Sequence, residues 1–307
     1  MQAAAGQSNM TSIRRILAFI AALAASAAWA IPDTTPRAGA NAESLKAHYT
    51  ELGPSLERNA FGRPIHLQSN ESGRSQQGEV YGIVEFPFAT VERGLGEAQS
   101  WCDVLILPYN TKHCHATGAG PSTTLTVRIG RKADQAPEDA HPIAFKYNVQ
   151  SLSADYLRVV LDAGEGPLGT RDYRIVLEAA PLDEKRSFIH LSYSYGFSTM
   201  SKLALQAYLA TAGAKKVGFT VTGKDGQGNP VYVGGMLGAT ERNTMRYFLA
   251  IDAYLGSLSA PASQRVEKRL NDWYVAAGKY PRQLSEMERG EYLAMKRKET
   301  SRLKEAL

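Results

Sequence analysis

The residues with the clearest chemical potential lie in the segment "WCDVLILPYNTKHCH", which holds the only two cysteines, Cys102 and Cys114, with His113 and His115 beside the second. These four nitrogen and sulfur donors match the number of ligands in a structural zinc site. However, successive side chains of an extended backbone point to opposite faces, and the segment has no C-x2-C or H-x3-H spacing. A nucleophilic thiol assisted by His113 is another reading, and a disulfide is the third.

The start of the chain favours the disulfide. Residues 11–30, "TSIRRILAFIAALAASAAWA", combine a basic region, a short apolar run and a small-x-small ending, which is typical of a secretory signal peptide. We therefore predict a signal peptide over residues 1–30, general secretion rather than twin-arginine export, and no transmembrane segment in the mature chain. In a Gram-negative bacterium the mature protein would be periplasmic, where cysteines pair. The prediction is a Cys102–Cys114 disulfide and no metal site.

Composition and motifs exclude several functions. The chain has a net charge of +5 with 21% charged residues, and it shows no basic field interleaved with aromatic residues, so nucleic-acid binding is not expected. The segment "GFTVTGKD" nearly spells a phosphate-binding loop, but Asp225 replaces the hydroxyl that would bind magnesium. The sequence has no G-x-S-x-G, S-x-x-K or H-E-x-x-H motif. We predict no catalytic residue and no cofactor, and the balance is against an enzyme without deciding the matter.

The middle of the chain predicts an antiparallel sheet. Strand patterns at residues 78–86, 125–130, 143–149, 156–161, 173–178 and 189–195 alternate apolar and polar side chains, with connections too short for crossover helices. This pattern is typical of a meander with one apolar face and one face in water. Helices are predicted after the first strand, at residues 198–213, and from a Thr240 cap to Gly256. The fold class is therefore α+β.

The segment "VEFPFATVERGL", an immediate helix, the meander and a late helix laid across it resemble the START-like superfamily, or helix-grip fold, over roughly residues 78–256. The resemblance implies a curved antiparallel sheet gripping C-terminal helices, with an apolar cavity for a lipid, sterol or other hydrophobic molecule. Extra C-terminal helices fall outside it. The predicted organisation is a signal peptide (1–30), an N-terminal helix and linker (31–77), a START-like domain (78–256) and a helical tail (257–307).

Two groups are candidates for ligand binding. Tyr147, Tyr173, Tyr193 and Tyr195 share the apolar face of the predicted sheet, where their hydroxyl groups either orient a ligand or fill a packed core. Arg242 and Arg246 share one helix face at i, i+4 spacing. They either bind an anionic head group or form structural ion pairs with Glu241 or with carboxylates of the sheet.

In the tail, the segment "RVEKRLNDWYVAAG" carries an apolar docking stripe of Val266, Leu270 and Trp273/Tyr274. The last segment, "LSEMERGEYLAMKRKETSRLKEAL", alternates charge signs and predicts a solvated helix with a thin apolar seam. Removal of residues 280–307 is therefore expected to leave folding intact. Three hypotheses for the function follow. The first is an exported, non-catalytic binder or carrier of a hydrophobic, lipid-like molecule. The second is an envelope assembly or scaffold protein that meets a protein partner through residues 261–307. The third is a hydrolase or lyase that uses the same cavity.

Overall fold

The computed structural model describes residues 41–211 and 213–303. Within them the chain forms an eight-stranded sheet, a separate hairpin and seven α-helices. The strands of the main sheet are β1 (Ile65–Ser72), β2 (Ser75–Val84), β3 (Thr111–Thr117), β4 (Thr124–Ile129), β5 (His141–Ser153), β6 (Tyr156–Glu165), β7 (Arg171–Pro181) and β8 (Ser187–Gly196). The hairpin strands are β9 (Val221–Lys224) and β10 (Pro230–Tyr232). The helices are α1 (Ala42–Glu57), α2 (Phe88–Leu95), α3 (Ala98–Leu105), α4 (Thr199–Thr211), α5 (Gly235–Ser257), α6 (Arg265–Gly278) and α7 (Arg289–Ser301).

The main sheet has the order β1-β2-β8-β7-β6-β5-β4-β3, and every neighbouring pair is antiparallel. Strands β3 to β8 follow one another as a meander, and β8 returns beside β2. Helices α2 and α3 connect β2 to the meander, and α5 follows it. The predicted α+β class, with an antiparallel sheet gripping a late helix, is confirmed.

Helix α5 is the helix that the sheet grips, since it packs on β1, β2 and β8. Two glycines of β2 allow α5 to pack closely against this strand. A Cβ atom on Gly82 would lie 2.5 Å from Cζ of Phe248, and one on Gly78 would collide with the side chain of Thr244. Residues four apart on a strand face the same side, so both glycines bring the helix close to the strand backbone.

The start of α5 differs from the prediction. The helix begins at Gly235, with Gly234 as its N-cap residue. The glycines of the segment "GGMLGA" are typical of a turn, yet this segment forms the start of the helix. Thr240 is therefore not a cap. It lies buried inside the helix, and its hydroxyl donates a hydrogen bond to the carbonyl of Met236 at 3.0 Å.

The prediction that one face of the sheet lies in water holds for β5, where Ala144, Lys146 and Asn148 are exposed, but not for the strands under α1. Helix α1 covers part of the face opposite α5, where Leu45 and Leu56 pack with Tyr81, Tyr156 and Phe188. The Gly53-Pro54 step in the sequence is typical of a helix end, but α1 continues to Glu57 with Pro54 inside it. The extra turn places Leu56 in this second apolar cluster, and burial of its side chain stabilises the longer helix.

Strand β1 lies in the segment 31–77, which the sequence predicted as helix and linker. It pairs with β2 along its whole length, from Ile65 opposite Gly82 to Ser72 opposite Ser75. Only Ile65 of this strand is buried, so the sequence carries no alternating pattern that could reveal it. Backbone hydrogen bonds to β2 hold it in place.

Helix α6 docks through Leu270 and Trp273 of the predicted stripe, and the last helix, α7, is also packed into the domain rather than solvated. Leu270, Trp273 and Tyr292 are fully buried and belong to the main core. Helix α7 also buries Lys296 and Glu299, so charged residues on its buried face gave the sequence the appearance of a solvated helix. We therefore no longer expect residues 280–307 to be dispensable for folding.

The part of the chain from 41 to 303 that the structure describes contains no helix long and apolar enough to cross a membrane. The predicted signal peptide, residues 1–30, lies outside the described residues and stays a prediction.

Candidate functional site

Cys102 and Cys114 form a disulfide, as predicted, with their Cα atoms 5.1 Å apart. The bond joins α3 to β3. His113 turns its Nε2 atom to the backbone carbonyl of Arg302 at 2.9 Å, and its ring lies 6.5 Å from that of His115. The structure thus gives each sulfur atom and the His113 ring a structural partner. Among the residues that the structure describes, no group of three histidine, cysteine or acidic side chains is arranged to hold a metal.

The four predicted tyrosines lie together on the inner face of the sheet, and all are buried in the main core. Tyr173 stacks on Tyr195 at 5.6 Å, and Tyr193 packs on Tyr247 of α5 at the same distance. Tyr147 lies further along the sheet, where its hydroxyl is 3.5 Å from the carbonyl of Leu95.

The hydroxyl groups of the other three also lie near polar side chains. Tyr173 shares a hydrogen bond with Thr170 at 2.7 Å, and Asn243 and Thr240 oppose the rise in the pKa of Tyr193 and of Tyr195. Burial raises the pKa of all four phenols. These contacts favour the alternative in which the tyrosines form a packed core.

The charged cluster at residues 241–246 divides into three separate environments. Glu241 is fully buried, and its carboxylate accepts hydrogen bonds from the backbone amides of Phe219 and Thr220 and from the hydroxyl of Ser69. It therefore anchors the segment before β9 to β1 and α5, and forms no ion pair with the neighbouring arginines.

Arg246 points to the tail. Its Nη2 atom lies 2.6 Å from the Glu286 carboxylate, which also pairs with Lys132 at 2.7 Å. Burial acts against the charge of Glu286, but Arg246 and Lys132 outweigh it and lower the pKa of the carboxyl group. For Arg246 the structure favours the ion-pair alternative, with a partner that the sequence did not indicate.

Arg242 has a different environment. Its side chain lines a cleft of about 510 Å³ between α4 and α5, called here the α4–α5 cleft, which is within the size range of about 300–1,000 Å³ for small-molecule sites. Leu209 and Ala210 of α4, Val217, and Met236 of α5 supply apolar surface. Of the predicted binding residues, Arg242 is the one that the structure places in this cleft.

A second polar cluster, which the sequence did not indicate, crosses the outer face of the sheet. His66, Tyr81, His190, Glu178 and Arg158 lie directly opposite one another on five neighbouring strands, and we call them the polar row. The alternating pattern predicts that His190, Glu178 and Arg158 lie on the face in water, but each of them is at most 9% exposed. Opposite charges at matching positions of adjacent strands are the signal that could have revealed the row.

His190 is held tightly within the polar row. Its Nδ1 atom lies 2.7 Å from Glu178, and its ring stacks on Tyr81 at 4.2 Å. Its Nε2 atom lies 3.4 Å from Glu79, too poorly aligned for a hydrogen bond. Burial disfavours the charged imidazole, but both carboxylates outweigh this effect and raise its pKa.

Glu178 also pairs with Arg158 at 2.8 Å. Burial raises its pKa, but hydrogen bonds, the largest from His190, dominate and lower it to about 2. A paired histidine and carboxylate can exchange a proton with a substrate. Here the pair lies under Tyr81 and its neighbours, so it joins the strands rather than facing a cleft.

No protein-family model and no curated protein matches the sequence. Solved structures overlap with part of the chain. A conserved protein from Geobacillus kaustophilus covers 59% of this chain and 95% of its own, with a TM-score of 0.35 and 11% identity. Truncated norcoclaurine synthase from Thalictrum flavum covers 47% of this chain and 90% of its own, with a TM-score of 0.33 and 15% identity. Human StAR-related lipid transfer protein 5 covers 51% and 83%, with a TM-score of 0.30 and 11% identity. These values are too low for any activity to be transferred.

Proposed function

We propose that the chain is an exported, non-catalytic binder or carrier of a hydrophobic, lipid-like small molecule. The α4–α5 cleft replaces the predicted cavity between the sheet and its gripping helix as the ligand site, because the four tyrosines of that cavity are packed in the main core. The observation that carries this proposal is the loose packing of α4 over the cleft. Ser201 is the only buried residue among those described in α4, whereas α5 is buried along most of its length. Elements with few buried contacts open at low cost in free energy, so α4 is suited to act as a movable cover.

The sequence of α4 supports the same proposal. Its only charged residue is Lys202, and Met200 and Leu203 are 75% and 56% exposed. Such an apolar helix gains little from its present packing. An apolar ligand between α4 and α5 would bury more of its surface.

Two observations support export. The first is the predicted signal peptide at residues 1–30, and the second is the disulfide, since such bonds persist in oxidising compartments. Fractionation of the native host, followed by N-terminal sequencing of the mature protein, tests this part. We expect a periplasmic protein that begins near Ile31, and a cytoplasmic protein with an intact N-terminus would contradict the proposal.

Native mass spectrometry of protein purified from cell envelopes without detergent tests ligand binding. We expect a reproducible apolar mass on the wild-type chain and its loss in Ala210→Trp, because Ala210 lines the cleft and an indole ring would fill part of it. Met200→Trp places the same ring on an exposed position of the same helix and should retain the mass. Ligand-free wild-type protein, or equal loss in both variants, would contradict the proposal.

The scaffold hypothesis receives less support. The large aromatic side chains of the tail, Trp273 and Tyr292, are fully buried against Tyr109 in the core. They are therefore occupied within the chain, and the tail offers a partner mainly its charged outer surface.

A further inference from the structure

Arg242 is a buried cation without a protein acceptor on two of its nitrogen atoms. Its side chain is 4% exposed, and neither Nε nor Nη1 has a hydrogen-bond partner among the described residues. Glu241 and Arg246 on the same helix each have close partners. Arg246 leaves only its Nε atom without a partner among the described residues, whereas Arg242 leaves two nitrogen atoms without one. A buried guanidinium group normally finds acceptors, and leaving its donors unsatisfied costs free energy. Arg242 thus supplies unused donors at the wall of the cleft.

The N-terminus of α5 lines the same cleft through Gly234, Gly235 and Met236. The first backbone amide that bonds within the helix at this end is that of Gly238, which donates to the carbonyl of Gly234. No side chain caps the helix start. The free amides and the positive end of a helix of 23 residues both favour an anion.

Arg242 and this helix start belong together geometrically. Gly235 and Arg242 are seven residues apart, which corresponds to about two helical turns, so they share one face of α5. Long side chains of a helix lean toward its N-terminus. This geometry leans the side chain of Arg242 toward the N-terminal end of α5, and Arg242, Gly234 and Gly235 line the same cleft.

The other charges of the cleft leave the site positive. The cleft is lined by three basic residues, Lys202, Lys216 and Arg242, and by one acidic residue, Glu71. Glu71 is already paired with Lys202 at 2.5 Å, and Lys216 donates to the carbonyl of Ser285. Glu286 and Glu241 also lie near Arg242, but Glu286 pairs with Arg246 and Lys132, and Glu241 accepts backbone hydrogen bonds. Burial, followed by the nearby charge of Arg246, lowers the pKa of Arg242 to about 10, and the two carboxylates oppose this effect, so Arg242 remains a cation at neutral pH.

We propose that Arg242 and the N-terminus of α5 bind the oxyanion of an amphipathic molecule, a carboxylate, phosphate or sulfate group, whose apolar part lies along Leu209, Ala210 and Met236. This inference rests on the proposed function and specifies the class of its ligand. A guanidinium fork matches the planar or tetrahedral oxygens of such groups. The apolar wall selects an amphiphile over a free inorganic anion.

The test is isothermal titration calorimetry of the full mature chain with three probes: decanoate, decan-1-ol and inorganic phosphate. We expect the wild type to bind decanoate about 10- to 100-fold more tightly than decanol, which is the range for hydrogen bonds to a charged group. Arg242→Gln should remove this preference while keeping the affinity for decanol within about twofold. Inorganic phosphate should bind more weakly than decanoate.

Lys202→Gln is the matched control, because it removes the same unit charge from the cleft at a residue that Glu71 already neutralises. It should preserve most of the preference for decanoate. An equal loss in Lys202→Gln and Arg242→Gln would show a diffuse charge effect and would overturn the inference.

A second readout separates binding from a structural role. Because the unpaired cation is costly to bury, ligand-free Arg242→Met should unfold at the same temperature as the wild type or higher. A clear drop in its melting temperature would place Arg242 in the structural framework and overturn the inference.

The remaining outcomes distinguish this inference from the proposed function. Equal affinity of the wild type for decanoate and decanol would overturn the inference alone. Phosphate that binds as tightly as decanoate would overturn the inference that the ligand is amphipathic. If neither decanoate nor decanol binds, the proposed function fails, and the inference fails with it.

Discussion

The carboxylate of Glu299 is expected to hold the tail in the domain, because it neutralises two fully buried lysines. Its Oε1 atom lies 2.9 Å from Lys112 Nζ, and its Oε2 atom lies 2.6 Å from Lys296 Nζ. The lysines also donate to the carbonyls of Tyr109 and Thr111. Glu299→Gln would preserve the shape of the side chain and leave two buried cations without a carboxylate.

Breaking a buried ion pair by removing one partner costs about 3–5 kcal/mol. In a domain of this size each kcal/mol corresponds to about 2–4 °C in melting temperature, so Glu299→Gln should lower it by about 6–20 °C. Chemical denaturation at pH 6 followed by circular dichroism gives the free energy of unfolding. Lys298→Gln is the control. Lys298 lies on the same helix as Glu299, but its pair with Asp134, which belongs to the loop between β4 and β5, is about half exposed and should contribute less than about 1 kcal/mol.

The cost should also depend on pH. Burial lowers the pKa of Lys296 to about 8, although Glu299 opposes this effect. Without Glu299, the folded protein should release this proton at a lower pH than the wild type. The variant then binds fewer protons when folded, so its stability rises relative to the wild type as pH increases from 6 to 8. A loss below 1 kcal/mol at pH 6, or one equal to that of Lys298→Gln, would refute the reasoning.

Three further outcomes are expected. Replacement of both Cys102 and Cys114 by serine should lower the free energy of unfolding by about 3 kcal/mol, as for loops of similar length, and should leave decanoate affinity unchanged; thermal unfolding and calorimetry check both. The folded pKa of His190 is raised, so its contribution is fully present below its unfolded pKa of about 6.5 and is lost as pH rises through the folded value. The stability difference between wild type and His190→Gln should therefore be larger at pH 6 than at pH 9, and a constant difference would contradict the assigned pairs. Gly82→Val should cost about 1–3 kcal/mol or more by overpacking against Phe248, and a neutral effect in urea denaturation would show that α5 lies further from β2.

The elements that were predictable are those with a strong period. The strands around Tyr147, Tyr173 and Tyr193 alternate clearly, and they form neighbouring parts of one sheet as predicted. The polar strand β1 and the glycine-rich start of α5 lacked such a pattern. Their positions depend on partners elsewhere in the chain, namely the backbone of β2 for the first and the sheet face for the second.

The sequence identified the types of residue in the candidate site better than it indicated which of them contact each other. The sequence identified Arg242 and Arg246 as two residues on one helix face. It could not indicate that Arg246 forms an ion pair with Glu286, forty residues away. Likewise, the alternation placed His190 and Glu178 on the less apolar face, while their burial depends on a row of contacts across five strands. The pair of Arg246 with Glu286 leaves no signal within one segment of the sequence, whereas the polar row becomes visible only when the strands are aligned in register.

The contact between α7 and β3 has a consequence for association between molecules. Among the residues that the structure describes, strand β3 is an end of the main sheet, with a neighbouring strand only on the side of β4. Unpaired backbone groups at such an edge can pair with another chain. Lys296 binds the carbonyl of Thr111, and the carbonyl of Arg302 binds His113, so the tail covers this edge. A chain cut short before α7 would expose a strand of seven residues, and its failure would appear as edge-to-edge aggregation rather than as simple unfolding.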